Sequence, residues 1–430
     1  MTKALGVWRC SSLVIGNMVG SGIFLLPASL APYGGVSIIG WLLTTLGALM
    51  TALVFVNLSR RYPRQGGPYR YAYEQFGALP AFVVAWSYWV SIWCGNAAIS
   101  VAAVTYLSFF FPVIEQNNLI AVVVSMSLLW IVTYINVKGI REAALTQMIV
   151  TVLKIIPLLF IGGAAFFVFD LQAFKPLNTS DLSMGEAINA TAALTLWAFL
   201  GLESATIPAD NVDDPKRTIP KATLIGFAIT AFIYISCQVA IVSVVPNEQL
   251  ITSGAPFADA AKIIWGGWAG YLIAAGAVLS CLGALNGWVL LQGQVPMTAA
   301  RDNLLPNVFK DNKKDGVSKF ALIFSSIIIS ILIWFNFSKG MVSLFTFAIM
   351  VSTLGIFMPY LLSIFAEMKY LVKNKKLFSN ISSSLFSVLA FLYCVWAIIG
   401  IGSKAIVWGV ILILAGLPVY FGYQWHRSRH

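Results

Sequence analysis

About twelve long apolar runs divide this chain, and they constrain its fold more than any other feature of the sequence. Each run has about 20 residues, the length that an α-helix needs to cross a lipid bilayer. Hydrophobic residues make up 59% of the chain and charged residues only 10%, whereas a soluble domain has about 25% charged residues. The alternation of apolar and polar residues that is typical of membrane β-barrels is absent. The sequence therefore predicts an all-α integral membrane protein with about 12 transmembrane helices.

The basic residues between these runs predict the topology. The predicted spans are residues 10–33, 36–58, 79–111, 119–137, 145–168, 186–211, 222–245, 268–298, 319–336, 341–365, 382–401 and 404–423. With the N-terminus in the cytoplasm, 22 of the 27 Lys and Arg residues fall in cytoplasmic loops, four fall on the other side, and Lys154 lies inside a span. Cytoplasmic loops carry such an excess. The pattern predicts a multi-pass protein of the cell inner (plasma) membrane with both termini cytoplasmic. It also explains the net charge of +11 without a nucleic-acid partner.

The first span contains a sequence that disfavours a continuous helix. Within Gly16–Pro27 the chain reads Gly20-Ser21-Gly22, and glycine weakens a helix interior. A break at membrane depth frees backbone N–H and C=O groups, which is tolerated only where protein or a water-filled cavity receives them. Gly16 and Gly20 also fit the GxxxG pattern of close helix packing, which is the alternative interpretation. The clustered glycines favour a break, and the freed groups are suited to binding a small zwitterion.

The sixth span has a similar interruption, because Gly201 stands in mid-run and is followed closely by Glu203. Interrupted helices in corresponding halves indicate an inverted-repeat secondary transporter, with its site between the breaks. We therefore predict two inverted five-helix repeats plus two helices, with helices 1 and 6 interrupted. Within a single transmembrane transporter domain, residues 1–430, the repeats would be residues 1–175 and 176–370, followed by the last two helices in residues 371–430.

Two ionisable residues lie deep in apolar runs, and each needs a reason to be there, since a charge at mid-membrane costs about 3 kcal/mol. Glu203 follows the second break, where it either titrates or orders the freed helix ends. Lys154 either loses and regains a proton during transport or remains a fixed cation where a coupling metal ion would otherwise bind. Both interpretations of Lys154 argue against sodium coupling.

Polar and aromatic residues in two further spans are candidates for contact with a bound molecule. Tyr88, Ile92 and Asn96 share one face of the third span. A mid-membrane amide needs a partner, which is either a neighbouring helix or a ligand. Trp288 in the eighth span and Trp197 beside the second break are suited to stacking on a cationic group. With 14 tryptophans in the chain, most of them are expected to be interfacial anchors or packing residues.

Other classes of membrane protein have little support in the sequence. It contains no HExxH or GxSxG motif, and its two histidines, His426 and His430, lie in the C-terminal tail. We therefore expect no enzyme activity, no catalytic residue, no cofactor and no metal site. A filter-like loop or ring of charge that would indicate a channel is also missing.

Several motifs carry a resemblance to a known group of transporters. They are Gly16–Pro27, Gly66–Ala72, Gly95–Asn96, Leu196–Ala205, Asp214–Ala222, Gly287–Trp288 and Leu392–Ala397. On these motifs, which extend from the first span to the last pair, the chain resembles the amino acid–polyamine–organocation (APC) superfamily. Within it, the chain is most similar to the basic amino acid/polyamine antiporter family, in particular its bacterial arginine/agmatine exchangers.

The resemblance implies a role for residues at matching positions. Ser21 and Gly22 would bind the substrate carboxylate, and carbonyls of Met18, Trp197 and Leu200 would bind the α-amino group. Asn96 and Trp288 would contact the side-chain end. The complete set of implied substrate-binding residues is Met18, Ser21, Gly22, Ser91, Ile92, Asn96, Trp197, Leu200 and Trp288. Tyr69, Tyr88 and Trp197 would be gating residues, and Glu203 and Lys154 would be linked to protons or pH. Members of this family are commonly dimers, so a homodimer is a further expectation.

The chain departs from the arginine exchangers at two positions. Ile92 replaces a cysteine that contacts the substrate side chain, and Lys154 looks more like a lysine of the proton-linked permeases. The predicted function is a secondary active amino acid antiporter. It would exchange a cationic amino acid such as arginine for its decarboxylated amine, agmatine, or for another amino acid. The alternative is a proton-coupled symporter of a neutral or small amino acid that uses Lys154.

Overall fold

The computed structural model of the chain is built from α-helices joined by short loops and 3₁₀ turns. It describes residues 6–64, 66–138, 140–207, 209, 212–310, 317–336, 341–375 and 380–428, with backbone only for 140–153 and 336. The α-helices are α1 (Val7–Met18), α2 (Ser21–Leu30), α3 (Val36–Arg61), α4 (Pro68–Phe76), α5 (Ala78–Ser108), α6 (Val113–Gln116), α7 (Asn118–Val137), α8 (Ile140–Val168), α9 (Met184–Leu196), α10 (Pro215–Val244), α11 (Asn247–Thr252), α12 (Pro256–Trp265), α13 (Gly267–Arg301), α14 (Lys319–Asn336), α15 (Met341–Lys373), α16 (Ile381–Gly400), α17 (Ser403–Leu414) and α18 (Gly416–Ser428).

The predicted membrane-spanning architecture is confirmed. In the part of the chain that the structure describes, nine helical segments are long and apolar enough to cross a bilayer. They match the predicted spans one to four, seven, eight and ten to twelve. The fifth and ninth predicted spans correspond to α8 and α14, whose apolar parts are Lys154–Val168 and Lys319–Phe335. The twelfth span differs in detail, because it consists of two helices, α17 and α18, that meet at Ala415.

The predicted break in the first span is present and is short. Helix α1 ends at Met18, Val19 is extended with ψ 91°, and Gly20 has non-helical angles of φ −131° and ψ −148°. Ser21 and Gly22, which we expected to lie within the break, already form the first turn of α2. A Cβ at position 20 would lie 3.0 Å from the side chain of Ala284, so the absence of a side chain allows α13 to approach the break closely.

The second break is longer than the sequence predicted. Helix α9 ends at Leu196, and the chain continues as a 3₁₀ turn over Trp197–Phe199, a left-handed residue at Gly201 (φ 104°) and another 3₁₀ turn over Ser204–Thr206. The predicted sixth span extended to residue 211, but the chain contains no α-helix between Leu196 and Ile207. Local bonds replace the helical ladder here. The Glu203 carboxylate accepts the N–H of Gly201, and the Thr206 hydroxyl donates to the carbonyl of Glu203.

The contacts among the first ten spans show an internal symmetry. For two pairs of spans that pack on each other, the two spans five positions before or after them also pack on each other. Helix α3 packs on α9, and α10 packs correspondingly on α1. Helix α5 packs on α15, and α13 packs correspondingly on α8. The two central helices α5 and α13 also pack on each other, and both contact α2 of the first broken span.

Loops that the charge pattern assigned to one side do lie together. The Arg61 guanidinium at the end of α3 pairs with Glu367 of α15. The Lys369 ammonium, also on α15, donates to the carbonyl of Gln75 at the end of α4, 2.5 Å away. Arg70 of α4 lies 3.5 Å from the Asp302 carboxylate, just after α13. These contacts group the basic loops on one face, as the topology requires.

Close helix packing gives a test of the fold at Gly47. A Cβ at this position of α3 would lie 2.2 Å from the buried Tyr393 ring of α16. We expect Gly47→Ala to destabilise the protein by about 1–3 kcal/mol through overpacking, seen as a lower apparent melting temperature in detergent. Gly163→Ala is the matched control, since a Cβ there meets nothing within 4 Å. Equal melting temperatures for the two variants would contradict this packing.

Candidate functional site

A narrow cavity lies between the two helix breaks. Its lining residues come from both breaks and from three long helices, and they are Asn17, Met18, Gly20, Ser21, Gly22, Ser91, Gly95, Ile99, Trp197, Leu200, Trp288 and Ser352. Protein atoms leave about 350 Å³ empty there, of which about 20 Å³ can hold the centre of a water molecule. A single water needs roughly 10–15 Å³ by that measure. Anything larger must therefore move the walls. Among the described lining residues no side chain is charged.

The N-terminus of α2 supplies donors to this cavity. No side chain caps the helix at Gly20, and in the described part of the chain the buried hydroxyl of Ser21 has no hydrogen-bond partner. The first N–H groups of a helix have no partners within the helix, and they carry the positive end of its dipole. Where Ser21 and Gly22 line the cavity, the structure therefore offers a site for an anionic group such as a carboxylate.

The Trp197 ring covers this helix end. A Cβ added to Gly22 would lie 2.7 Å from the ring, so only glycine allows the indole to lie so close to the backbone. On its other side Trp197 packs edge-to-face against Phe345 of α15, with 5.6 Å between ring centroids. Trp197 is only 8% exposed. The indole thus fills the space in front of the uncapped helix.

Tyr234 of α10 connects the two breaks. Its hydroxyl lies 2.5 Å from the carbonyl oxygen of Met18 and 3.0 Å from that of Ala198, and the tyrosine is fully buried. One proton can serve both acceptors, so carbonyls that α1 and the 3₁₀ turn leave unpaired share a single donor. The Met18 carbonyl, which we expected to meet a ligand amine, is therefore already partnered on one side.

Glu203 holds the second break against two long helices. Its Oε1 accepts from the Tyr88 hydroxyl at 2.6 Å, and its Oε2 accepts from the Tyr360 hydroxyl at 2.9 Å and from the Gly201 amide at 3.2 Å. No cation pairs with this buried carboxylate among the residues that the structure describes, and these three donors take the place of water. The second break lies close to the first one, as shown by the hydrogen bond that the Asn17 amide donates to the Ser204 hydroxyl at 2.8 Å.

Lys154 stabilises the other side of the first broken span. It is completely buried on α8, and its ammonium donates to the carbonyl of Gly16. Gly16 lies in the last turn of α1, where the helix dipole favours a cation. Lys154 does not line the cavity. Its contact with α1 agrees with the fixed-cation interpretation and leaves the proton-linked one open.

The structure brings most of the expected binding residues to the cavity, with three qualifications. Ser91 lines it, but its hydroxyl donates to the Ser352 carbonyl at 2.7 Å. Ile92 is buried outside the lining. Asn96 is also outside it, and its Nδ2 donates to Oε1 of Gln292 at 2.8 Å. Met18, Ser21, Gly22, Trp197, Leu200 and Trp288 line the cavity as expected.

The expected gating residues lie at different depths. Tyr88 borders the cavity through Trp288, which it meets edge-to-face with centroids 6.4 Å apart. Tyr69 lies further away, on the short helix α4 outside the spans, where its hydroxyl donates to Asp302 at 2.7 Å. Burial and this hydrogen bond raise the pKa of the Tyr69 phenol, so it stays a donor at physiological pH. The pair connects α4 to the end of α13.

Four functional candidates were missed by the sequence interpretation. They are Ser204, Tyr234, Ser352 and Tyr360, each a polar residue within or beside an apolar run. Tyr234 and Tyr360 are both fully buried or nearly so, with hydroxyls directed at the breaks. The only signal in the sequence is polarity at mid-span, which many structural residues share. Their roles depend on which helix faces which, and that is a property of the tertiary structure.

Comparisons with known proteins agree with this architecture. The sequence profile of the amino acid permease family matches residues 5–411. The chain belongs to this family. It is 33% identical to a cadaverine/lysine antiporter of Escherichia coli K12, over all of this permease and 97% of the relative. It is 30% identical to an arginine/ornithine antiporter of Pseudomonas aeruginosa, over 97% of this permease and 90% of the relative. A putrescine transporter of Haemophilus influenzae is 31% identical, over 97% of both chains.

These matches settle the general class. The permease is a multi-pass membrane protein of the APC superfamily, and the named relatives are transporters rather than enzymes. The resemblance to basic amino acid/polyamine antiporters is confirmed at the level of the family. The relatives quoted above are named for lysine, arginine, ornithine, cadaverine and putrescine.

Tyr234 gives a test of the connection between the breaks. We expect Tyr234→Phe to lower the stability of the folded permease by about 1–3 kcal/mol, because two buried carbonyls lose their shared donor. The apparent melting temperature in detergent should fall accordingly. Tyr271→Phe on α13 is the control, since Tyr271 is 55% exposed. If Tyr234→Phe melts no lower than this control, the hydroxyl does not hold the breaks together.

Proposed function

We propose that this permease is a secondary active antiporter that exchanges a cationic amino acid for its decarboxylated amine or for another cationic amino acid. The observation that carries the proposal is the cavity between the two helix breaks. It is lined by an uncapped helix N-terminus and by Trp197 and Leu200 of the facing break, whose backbone carbonyls would pair with an α-ammonium group as the helix amides would with an α-carboxylate.

The backbone of the substrate would bind at the breaks. Its carboxylate accepts from Ser21 and from the first amides of α2, where Gly22 lets a ligand approach the chain. Its α-ammonium group donates to carbonyls of the breaks, and we propose those of Met18, Trp197 and Leu200. The Met18 carbonyl retains one free lone pair beside the Tyr234 contact. These contacts are common to all α-amino acids and select none of them.

The side chain of the substrate would extend toward α5 and α13. Trp288 offers an aromatic face to a cation there. Ser91, Ile92 and Asn96 are the proposed neighbours on α5. The relatives named above all carry basic amino acids or diamines, which share a distal cation. This likeness supports substrates of the same chemical class, in which arginine and agmatine are one pair and lysine and cadaverine another.

Transport would follow from the symmetric packing. We propose that residues 1–175 and 176–370 form inverted repeats, whose rocking alternately opens the cavity to each side of the membrane. Trp197 would close the site on one side and the Tyr69–Asp302 pair would close the path on the other, with Tyr88 between them. We further propose an inner-membrane location with both termini cytoplasmic, on the side of the basic loops.

A second candidate function is favoured by Lys154. Its ammonium donates to the carbonyl of Gly16 beside the first break, so loss of its proton would weaken this contact with α1. A proton-coupled symporter of a neutral or small amino acid would use that event in every cycle. Exchange of cationic substrates requires no such step, and there Lys154 acts as a fixed cation.

Counterflow distinguishes the two functions. In liposomes containing the purified permease, we expect uptake of labelled lysine or arginine to rise at least about tenfold when the lumen is preloaded with a basic amino acid or its diamine product, because an antiporter returns only when loaded. Empty liposomes with an imposed pH gradient, supplied with labelled lysine, arginine or a neutral amino acid, are the comparison. Uptake driven by the pH gradient and indifferent to preloading would overturn the antiporter. If the Lys154→Met variant then loses the gradient-driven uptake and no other activity, the permease is the symporter.

Trp288 tests recognition of the distal cation. A cation–π contact contributes about 0.5–2 kcal/mol, so we expect Trp288→Leu to raise the KM for basic amino acids roughly 2- to 30-fold while exchange and folding persist. Trp268→Leu on the same helix is the matched control, since Trp268 is 68% exposed and distant from the cavity lining. A wild-type KM in Trp288→Leu would remove Trp288 from the site.

A further inference from the structure

A buried chain of hydrogen bonds connects α14 to the edge of the cavity. The Gln292 amide on α13 donates from Nε2 to the Leu322 carbonyl at 3.1 Å and to the Ser326 hydroxyl at 2.9 Å. Its Oε1 accepts from Nδ2 of Asn96 on α5 at 2.8 Å. Gln292, Asn96 and Ser326 are all fully buried.

The direction of every bond in this chain is fixed by one acceptor. The Leu322 carbonyl can only accept, so the group of Gln292 that faces it must be the NH₂. The Gln292 oxygen then faces Asn96, and the group of Asn96 that meets it must likewise be the NH₂. The Asn96 oxygen is consequently turned away from Gln292. This orientation follows from the chemistry of the partners and does not depend on how each amide is assigned.

The Asn96 oxygen is left as a free acceptor. It is buried, and none of the residues that the structure describes donates a hydrogen bond to it. A buried carbonyl oxygen without a donor is unfavourable, so such a site favours any ligand group that brings one. Ammonium and guanidinium groups consist of donors only, whereas a group that presents an acceptor would meet repulsion.

Asn96 lies where the distal end of a substrate would arrive. Its neighbours on α5, Gly95 and Ile99, both line the cavity, and Trp288 lines it one turn before Gln292 on α13. The cavity is too small for a basic amino acid as it stands, so its walls must part. A substrate held by its carboxylate at α2 extends toward the α5–α13 wall, which the Asn96–Gln292 pair closes.

We propose that Gln292 is a specificity-determining positioning residue: it fixes the Asn96 amide so that the Asn96 oxygen accepts the distal cation of the substrate. This inference rests on the proposed function of the cavity. Without the acceptor on Gln292, the Asn96 amide is free to rotate and to present its NH₂ instead. The site would then lose its preference for a donor-only group.

Arginine and citrulline measure this preference directly. They have nearly the same shape, but citrulline ends in a urea that carries an acceptor oxygen and no charge. The experiment determines the inhibition constants of both compounds against exchange of labelled arginine or lysine in liposomes. For Gln292→Met, which preserves volume, we expect the arginine-over-citrulline preference to fall about tenfold, the value of one charge-assisted hydrogen bond.

Two further variants separate positioning from mere packing. Asn96→Asp combined with Gln292→Met should restore the preference, because both oxygens of a carboxylate accept and its orientation no longer matters. Gln238→Met is the matched control. Gln238 is a buried glutamine of α10 whose Oε1 also lacks a partner, and it lies outside the cavity lining. We expect this control to leave the preference unchanged.

The possible outcomes are distinct. If Gln292→Met weakens arginine and citrulline equally, or if the double variant fails to restore the preference, Gln292 only packs the helices and the proposal is wrong. Should Gln292→Met not reach the membrane, Gln292→Asn provides the same test, since the shorter amide cannot span from Leu322 to Asn96. A wild-type permease that exchanges no basic amino acid would instead refute the proposed function itself.

Discussion

The structure depends on how the polar backbone is satisfied where two membrane helices stop in mid-bilayer. No water is available there to pair with freed carbonyl and amide groups, so each must find a partner in the protein or in a cavity. Tyr234 donates to carbonyls of both breaks, and Lys154 donates to a carbonyl of α1. Glu203 accepts from the amide of Gly201. Tyr234 lies on α10 and Lys154 on α8, so these carbonyls find their donors only in the assembled bundle.

Two of the buried side-chain atoms that have no hydrogen-bond partner among the described residues lie at or beside the candidate site. Tyr234 and Lys154 donate to backbone carbonyls at the breaks. By contrast, no side chain caps the N-terminus of α2, and no described residue pairs with the Ser21 hydroxyl. A second orphan, the Asn96 oxygen, lies at the opposite wall. An amino acid with a distal cation has complementary groups at both ends. In the proposed function, Ser21 would recognise the carboxylate common to all amino acids, and the Asn96 oxygen would recognise a particular side chain.

Much of this architecture could be predicted from the sequence because its signals are local. Long apolar runs define spans, loop lysines and arginines define topology, and Gly20 and Gly201 mark the breaks. The extent of the second break could not be predicted, since the Glu203 and Thr206 side chains replace a helical ladder that apolarity alone would favour. The role of Tyr234, the pairing of Ser91 with Ser352 and the engagement of Asn96 by Gln292 join residues far apart in sequence. No pattern along one chain reveals such partners.

The contact between Trp197 and Gly22 has a consequence for turnover. The indole occupies the space in front of the α2 N-terminus, the place where we propose that a carboxylate binds. The Trp197 ring would therefore compete with a bound carboxylate for the same space. A ligand would bind only to the fraction of molecules in which the ring has moved aside. Apparent affinity falls in proportion to that fraction. A carrier benefits from this arrangement, because the returning ring helps to expel its cargo, and tight binding would only slow release.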